Sequence, residues 1–121
     1  MSHITKVSLK IRCSSLQELE QAIATLAKVA PELKIQYSTL KDGVWVTAQG
    51  VERGTLFQLE EGEVKQVGDS WRQPNYHHIG KLVREAVKAN QLKRQARVIN
   101  PLAQVQLKYH QQRLIMAVNI P

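Results

Sequence analysis

Hydrophobic positions in this chain switch between a period of two and a period near 3.6, and the switches divide it into elements. From Ile4 to Arg12, Val7, Leu9 and Ile11 fall on one face and Lys6, Ser8, Lys10 and Arg12 on the other, which predicts a half-buried strand. Ser15-Leu16-Gln17-Glu18 then forms a capping box: the Ser15 oxygen is placed to accept from the Glu18 amide, and the Glu18 carboxylate to reach back to the Ser15 amide. Leu16, Leu19, Ile23 and Leu26 follow at intervals of three or four, with Ala22 and Ala27 as small fillers, until Pro31 closes the helix.

The period returns to two at Leu33, Ile35 and Tyr37, and Val44-Trp45-Val46 resumes it after Asp42-Gly43, two residues that tolerate positive φ; this predicts a hairpin. A second hairpin is expected from about Thr55 to Val67 around Glu60-Glu61-Gly62, with Gly50 and Gly54 marking the connection between the two. After Gly68-Asp69-Ser70-Trp71 and Pro74, a second helix is expected from about Tyr76 to Ala89, with Ile79, Leu82, Val83 and Ala86 on its apolar stripe. Continued along the same wheel, Lys93 and Arg97 would land on that stripe. The helix is therefore expected to bend or stop near Asn90, leaving Arg94 and its neighbours to a separate turn or short helix. Asn100-Pro101 breaks the chain again. A last hairpin follows, with Val105, Leu107 and Tyr109 facing Leu114, Met116, Val118 and Ile120 across a His110-Gln111-Gln112 turn.

Strands joined mainly by hairpins, with two helices in need of an apolar surface, predict a single α+β domain over residues 1–121: an antiparallel sheet with two helices packed on one face. Leu107 and Met116 are expected in the same sheet as Val7, Leu9 and Ile11. The length of 121 residues leaves no room for two cores of usual size. No apolar run approaches the roughly 20 residues that span a bilayer, and Met1-Ser2-His3-Ile4 lacks the zones of a signal peptide. Cys13 is the only cysteine and has no internal partner, so a reducing cytoplasm is the expected location.

Charge changes this picture more than composition does. The formal net charge is +7, yet residues 1–69 hold eight Lys/Arg against nine Asp/Glu, whereas residues 70–121 hold nine against Glu85 alone. His77, Lys81, Arg84 and Lys88 cluster on the helix side opposite the apolar stripe. Together Arg72, Lys81, Arg84, Lys88, Lys93, Arg94 and Arg97 make a candidate surface for phosphates or acidic protein. Aromatic residues near it are few, Trp71 and Tyr76, which argues against a base-stacking platform.

Chemistry of other kinds finds little to work with. His3, the adjacent His77 and His78, His110 and Cys13 are the metal-ligand types present, but no H-x-x-x-H or C-x-x-C spacing joins them, and no metal or cofactor is expected. Cys13 precedes a helix N-terminus that would lower a thiol pKa; as a buried filler it would instead be inert. Asp69 beside Trp71 reads as a turn-capping aspartate next to a core tryptophan. Neither a G-x-S-x-G nucleophile elbow nor a glycine-rich phosphate loop occurs.

The opening Met1-Ser2-His3, the strand-helix start, the Glu61-Gly62 hairpin, and Gly68-Asp69-Ser70-Trp71 ahead of a helix and terminal hairpin together resemble the family called hypothetical chloroplast open reading frame thirty-five. The order matches over nearly the whole chain and departs at Ala89-Asn90-Gln91 and Asn100-Pro101. That family, of cyanobacteria and plastid genomes, has no established activity, so the resemblance implies a small cytoplasmic or phage-borne cyanobacterial protein and assigns no catalytic residue. The expected function is a non-catalytic adaptor or regulatory subunit that docks an acidic partner protein through the basic helix face. The alternative is a nucleic-acid-binding module that contacts phosphates through the same face. No membrane partner is expected, and an unpaired sheet edge would allow a homodimer.

Overall fold

The computed structural model describes residues 4–120. In chain order the elements are β1 (Ile4–Arg12), α1 (Leu16–Val29), a 3-10 turn (Pro31–Leu33), β2 (Gln36–Leu40), β3 (Gly43–Ala48), β4 (Val51–Glu60), β5 (Glu63–Asp69), α2 (Tyr76–Ile99), β6 (Gln104–His110) and β7 (Arg113–Asn119). Five strands form one antiparallel sheet in the order β1-β5-β4-β3-β2. Both helices lie on one face of it, α1 toward β2 and β3 and α2 toward β1. The fold is α+β, as the periods predict.

Between helices and sheet, Leu19, Ile23 and Leu26 of α1 meet Val44, Val46 and Phe57 of the sheet and Ile79, Leu82 and Val83 of α2 in one buried cluster. Each such side chain taken fully out of water contributes about 1.5–3 kcal/mol. One buried contact is polar: the Gln66 amide of β5 donates to the Tyr76 carbonyl in the first turn of α2 at 3.0 Å. Gly80 makes room for it, since a Cβ there would lie 2.2 Å from Gln66 Oε1.

The terminal strands differ from expectation. β6 and β7 pair as predicted, Leu107 opposite Met116 and Tyr109 opposite Leu114, but they form a separate two-stranded sheet. This hairpin packs on the helices, β6 against α1 and β7 against α2. Alternation specifies which side of a strand is apolar without naming the surface that side will meet. Here the α2 face carrying His78, Glu85, Ala89 and Leu92 is the surface; His78 Nε2 lies 3.4 Å from the Tyr109 hydroxyl, and Leu107, Leu114 and Met116 sit over Glu85, Ala89 and Leu92.

α2 is also longer than predicted, running unbroken through Asn90 to Ile99. Beyond Ala89 its stripe leaves the sheet and runs beside Gln21, Ala24 and Thr25 of α1, where Lys93 and Arg97 can lay their stems on protein while their charged ends stay in water. Asn100, extended ahead of Pro101, ends the helix.

Smaller departures have local causes. The register of β1 on β5 shifts between Ser8 and Arg12, where Lys10 has φ 58°, so Leu9 and Ile11 are half-buried while Val7 stays exposed. The first hairpin turns at Lys41-Asp42, and Gly43 already belongs to β3, where a Cβ would lie 2.4 Å from the Phe57 carbonyl oxygen. Close approach, not positive φ, requires that glycine. Gly50 does connect two strands, β3 and β4, but β4 starts at Val51, which puts Gly54 inside the strand and beneath the Trp45 ring. At Glu61-Gly62 both φ values are positive, 55° and 81°, the hand that suits a tight antiparallel hairpin.

Candidate functional site

The seven predicted basic residues occupy three places. Lys81, Arg84 and Lys88 recur at intervals of three and four on α2 and, with the exposed His77, lie on the side opposite its buried stripe; Lys88 also forms part of the rim of the cleft between α2 and the β6–β7 hairpin. Lys93 and Arg97 lie around the helix, facing α1. Arg94 is committed to Glu18, Nη2 to Oε1 at 2.6 Å. Arg72 stands in the loop before α2 with φ 55°, its guanidinium 4.4 Å from the centre of the Trp71 ring. The open α2 face is thus a three-cation site, not a seven-cation one.

These three cations are not ion-paired: among the described residues Lys81, Arg84 and Lys88 pair with no carboxylate. Glu85, the single acid after residue 69, is within helical reach of Lys81 at i+4. It instead lines the cleft under β7 with Leu107, Leu114 and Met116, and its Oε2 is buried without a hydrogen-bond partner. Exposed like charges at this spacing repel mildly, and a bound anionic surface would relieve that repulsion.

Glu18 anchors a second cluster, at the corner where β1 enters α1. The Ser15 hydroxyl accepts from the Glu18 amide at 3.2 Å, as a cap should. The carboxylate departs from the predicted box. Its Oε2 accepts from the amide and hydroxyl of Ser14 at 2.6 and 2.7 Å, and its Oε1 from Gln91 at 3.0 Å and from Arg94. The two donors of Ser14 on one side and the α2 donors on the other draw it away from the Ser15 amide. Burial pushes this carboxyl's pKa up, but the bonds from Ser14, Gln91 and Arg94 more than offset that and hold it at about 2. Cys13 beside it is buried, and burial, reinforced by the Glu18 charge and opposed by Arg94, pushes its thiol to about 12. A thiol so shifted carries almost no thiolate at neutral pH. Gln91 and Arg94 tie α2 to this corner, while Ser14 and Ser15 cap α1 locally and the Cys13 amide donates to the Gly62 carbonyl at 2.9 Å.

Elsewhere the candidates separate. The Asp69 carboxylate accepts from the Trp71 amide at 2.9 Å, the predicted turn cap, but Trp71 is 45% exposed, its ring between Arg53 and Arg72, and so is no core residue. His77 meets the Tyr76 ring edge-on, His78 turns to Tyr109, and His110 closes the β6–β7 hairpin; His3 lies outside the described residues. Among the described residues no three His, Cys, Asp or Glu side chains gather in metal-binding geometry, and no helix is long and apolar enough to cross a membrane. Sequence reasoning missed the role of Glu18 as an anchor and the inward turn of Glu85, because the partners of both come from distant segments. No family model, curated protein or solved structure matches this chain.

Proposed function

We propose that this protein is a non-catalytic binding subunit that docks an acidic surface of a partner protein on the open face of α2. The observation that supports the reading is the trio Lys81, Arg84 and Lys88, which among the described residues forms no ion pair; the neighbouring acid, Glu85, lines the cleft under β7, whose rim Lys88 shares. Electrostatic complementarity of this kind steers encounter and sets orientation. In the other polar cluster both Glu18 carboxylate oxygens are occupied by Ser14, Gln91 and Arg94, and burial keeps the Cys13 thiol protonated. A rigid helix face without stacking aromatics suits a protein surface better than single-stranded nucleic acid.

The test compares the wild-type chain with Lys81→Glu/Arg84→Glu/Lys88→Glu in pull-downs from nuclease-treated extract and in titrations with mixed-sequence DNA and RNA. Expected are a protein captured by the wild type and lost with the charge reversal, a normal circular-dichroism spectrum for both, and no tight nucleic-acid binding. Affinity for DNA or RNA that collapses steeply between low and physiological salt would replace this reading with a phosphate-backbone contact. Undiminished capture by the reversed variant would remove the α2 face from consideration.

A further inference from the structure

Of the strands that end a sheet, β7 is built unlike the rest. β1 interrupts its edge with the Lys10 irregularity and carries Lys6 and Arg12, and β2 is a five-residue strand whose sequence is Gln-Tyr-Ser-Thr-Leu. β6 turns Gln104, Gln106, Lys108 and His110 outward. These are the ordinary ways to keep an edge from pairing with another chain. β7 has none of them between its ends: Leu114-Ile115-Met116-Ala117-Val118 is apolar on both faces, and Ile115 stands 49% exposed on the outer one.

We infer that β7 is a self-association edge, and that two copies of this chain join β7 to β7 in antiparallel register, making a four-stranded sheet β6-β7-β7-β6. His110 and Arg113 close the hairpin on either side of a two-residue turn. By antiparallel alternation, Leu114, Met116 and Val118 therefore direct their backbone N–H and C=O away from β6, toward the open side. The register that overlaps the whole strand with itself is centred on Met116. It sets Leu114 opposite Val118 of the second copy, Ile115 opposite Ala117, and Arg113 opposite Asn119. Apolar residues then meet apolar residues, and the strand's single charge meets a neutral amide. A two-fold axis makes such an interface self-complementary.

Three features of the structure agree with this occupant. The cleft of about 220 Å³ between α2 and β7 is lined by Ala89, Leu92, Leu107, Leu114 and Met116, and inward side chains of a second β7 would extend the apolar layer across it. The charged walls of that cleft, Glu85 and Lys88, are of opposite sign, so two copies can approach there without net repulsion. Pairing also ends where it should, because the outer edges of the resulting sheet are the two polar β6 strands. The inference rests on β7 itself; Lys88 alone is shared between this cleft and the α2 face.

The experiment is sedimentation equilibrium over roughly a hundredfold range of protein concentration, on the wild type and two double variants. Both variants change residues exposed in the single chain, so circular dichroism should report the same fold in all three. In the proposed register Ile115→Lys/Ala117→Lys sets like charges opposite each other across the two-fold axis, and Ile115→Lys/Ala117→Glu sets opposite ones. Expected are twice the chain mass for the wild type, the single-chain mass for the Lys/Lys variant, and twice the chain mass again for the Lys/Glu variant. A wild-type chain that stays single throughout the range overturns the inference, as does a Lys/Lys variant that still pairs. Loss of pairing in both variants overturns the register, and open-ended growth in mass overturns the closed dimer.

Discussion

The five-stranded sheet with its helices and the β6–β7 hairpin obey the same alternation rule with different results. In the sheet, the inner face of β3 and β4 is fully covered: Val44, Val46 and Phe57 have no solvent exposure, and the glycines at crowded positions, Gly43 and Gly80, are there because backbone or a buried amide comes too close for a Cβ. In the hairpin, the inner residues Val105, Leu107, Leu114 and Met116 are only half-buried, and the turn sets Gln111 and Gln112 at φ 51° and 65°, a conformation that favours glycine. One region is held by burial on a surface it fills. The other rests on the helices with its inner face half-covered and Ile115 and Val118 exposed, which leaves apolar area for further contact.

The largest test of that contrast is a pair of truncations. Phe57→Ala should destabilise the protein by about 3–5 kcal/mol, whereas Leu114→Ala should cost about 1–2 kcal/mol because its side chain is only partly buried. Urea unfolding followed by circular dichroism measures both, and equal losses would erase the distinction between the regions.

The next effect belongs to the helix corner and depends on pH. The Glu18 carboxyl sits at about 2 in the folded chain, below its ordinary value near 4.5. The folded state therefore binds this proton more weakly than the unfolded state does, and the stabilisation is complete above about pH 5 and lost as pH falls toward 2. Its size is on the order of 2–3 kcal/mol. Glu18→Gln should flatten that part of the stability-pH profile, and an unchanged slope in the variant would show that the carboxylate contributes nothing there.

Gly80→Ala should destabilise by about 1–2 kcal/mol although alanine is the better helix former, because the gain in propensity is outweighed by displacing the Gln66 amide. A more stable variant would mean that this contact yields easily. The smallest change has the opposite sign: Gln112→Gly in the hairpin turn should raise stability by about 0.5–1 kcal/mol by relieving its left-handed conformation. Gly62→Ala, at the corresponding turn of the main sheet, should lower it by a similar amount. Thermal melts of the two turn variants give the signs directly.

Elements whose determinants are local were legible before any coordinates. β1, α1 and the meander from β2 to β5 follow from period, cap and turn residues that lie within a few positions of one another. The extension of α2 was not, because it depends on Gln91 and Arg94 meeting Glu18 from the other end of the chain. The separate hairpin was not either, since Leu107 and Met116 declare an apolar face without saying whether strands or helices will cover it. Helical spacing did identify Lys81, Arg84 and Lys88 as one surface. It could not show that Arg94 is engaged, that Arg72 stacks on Trp71, or that Glu85 turns beneath β7, which are matters of tertiary packing.

The pairing of β1 with β5 has a kinetic consequence. The strand synthesised first, with Ile4 opposite Asp69 and Ser8 opposite Lys65, finds its place only after every other strand of the sheet has been made. The hairpins of the meander and the turns of α1 close through short loops, but β1 must wait for a closure that spans about half of the chain, and such closures are slow. While the chain emerges from the ribosome, β1 therefore stays unpaired until β5 is out, and in that interval the β5 of another chain could take it.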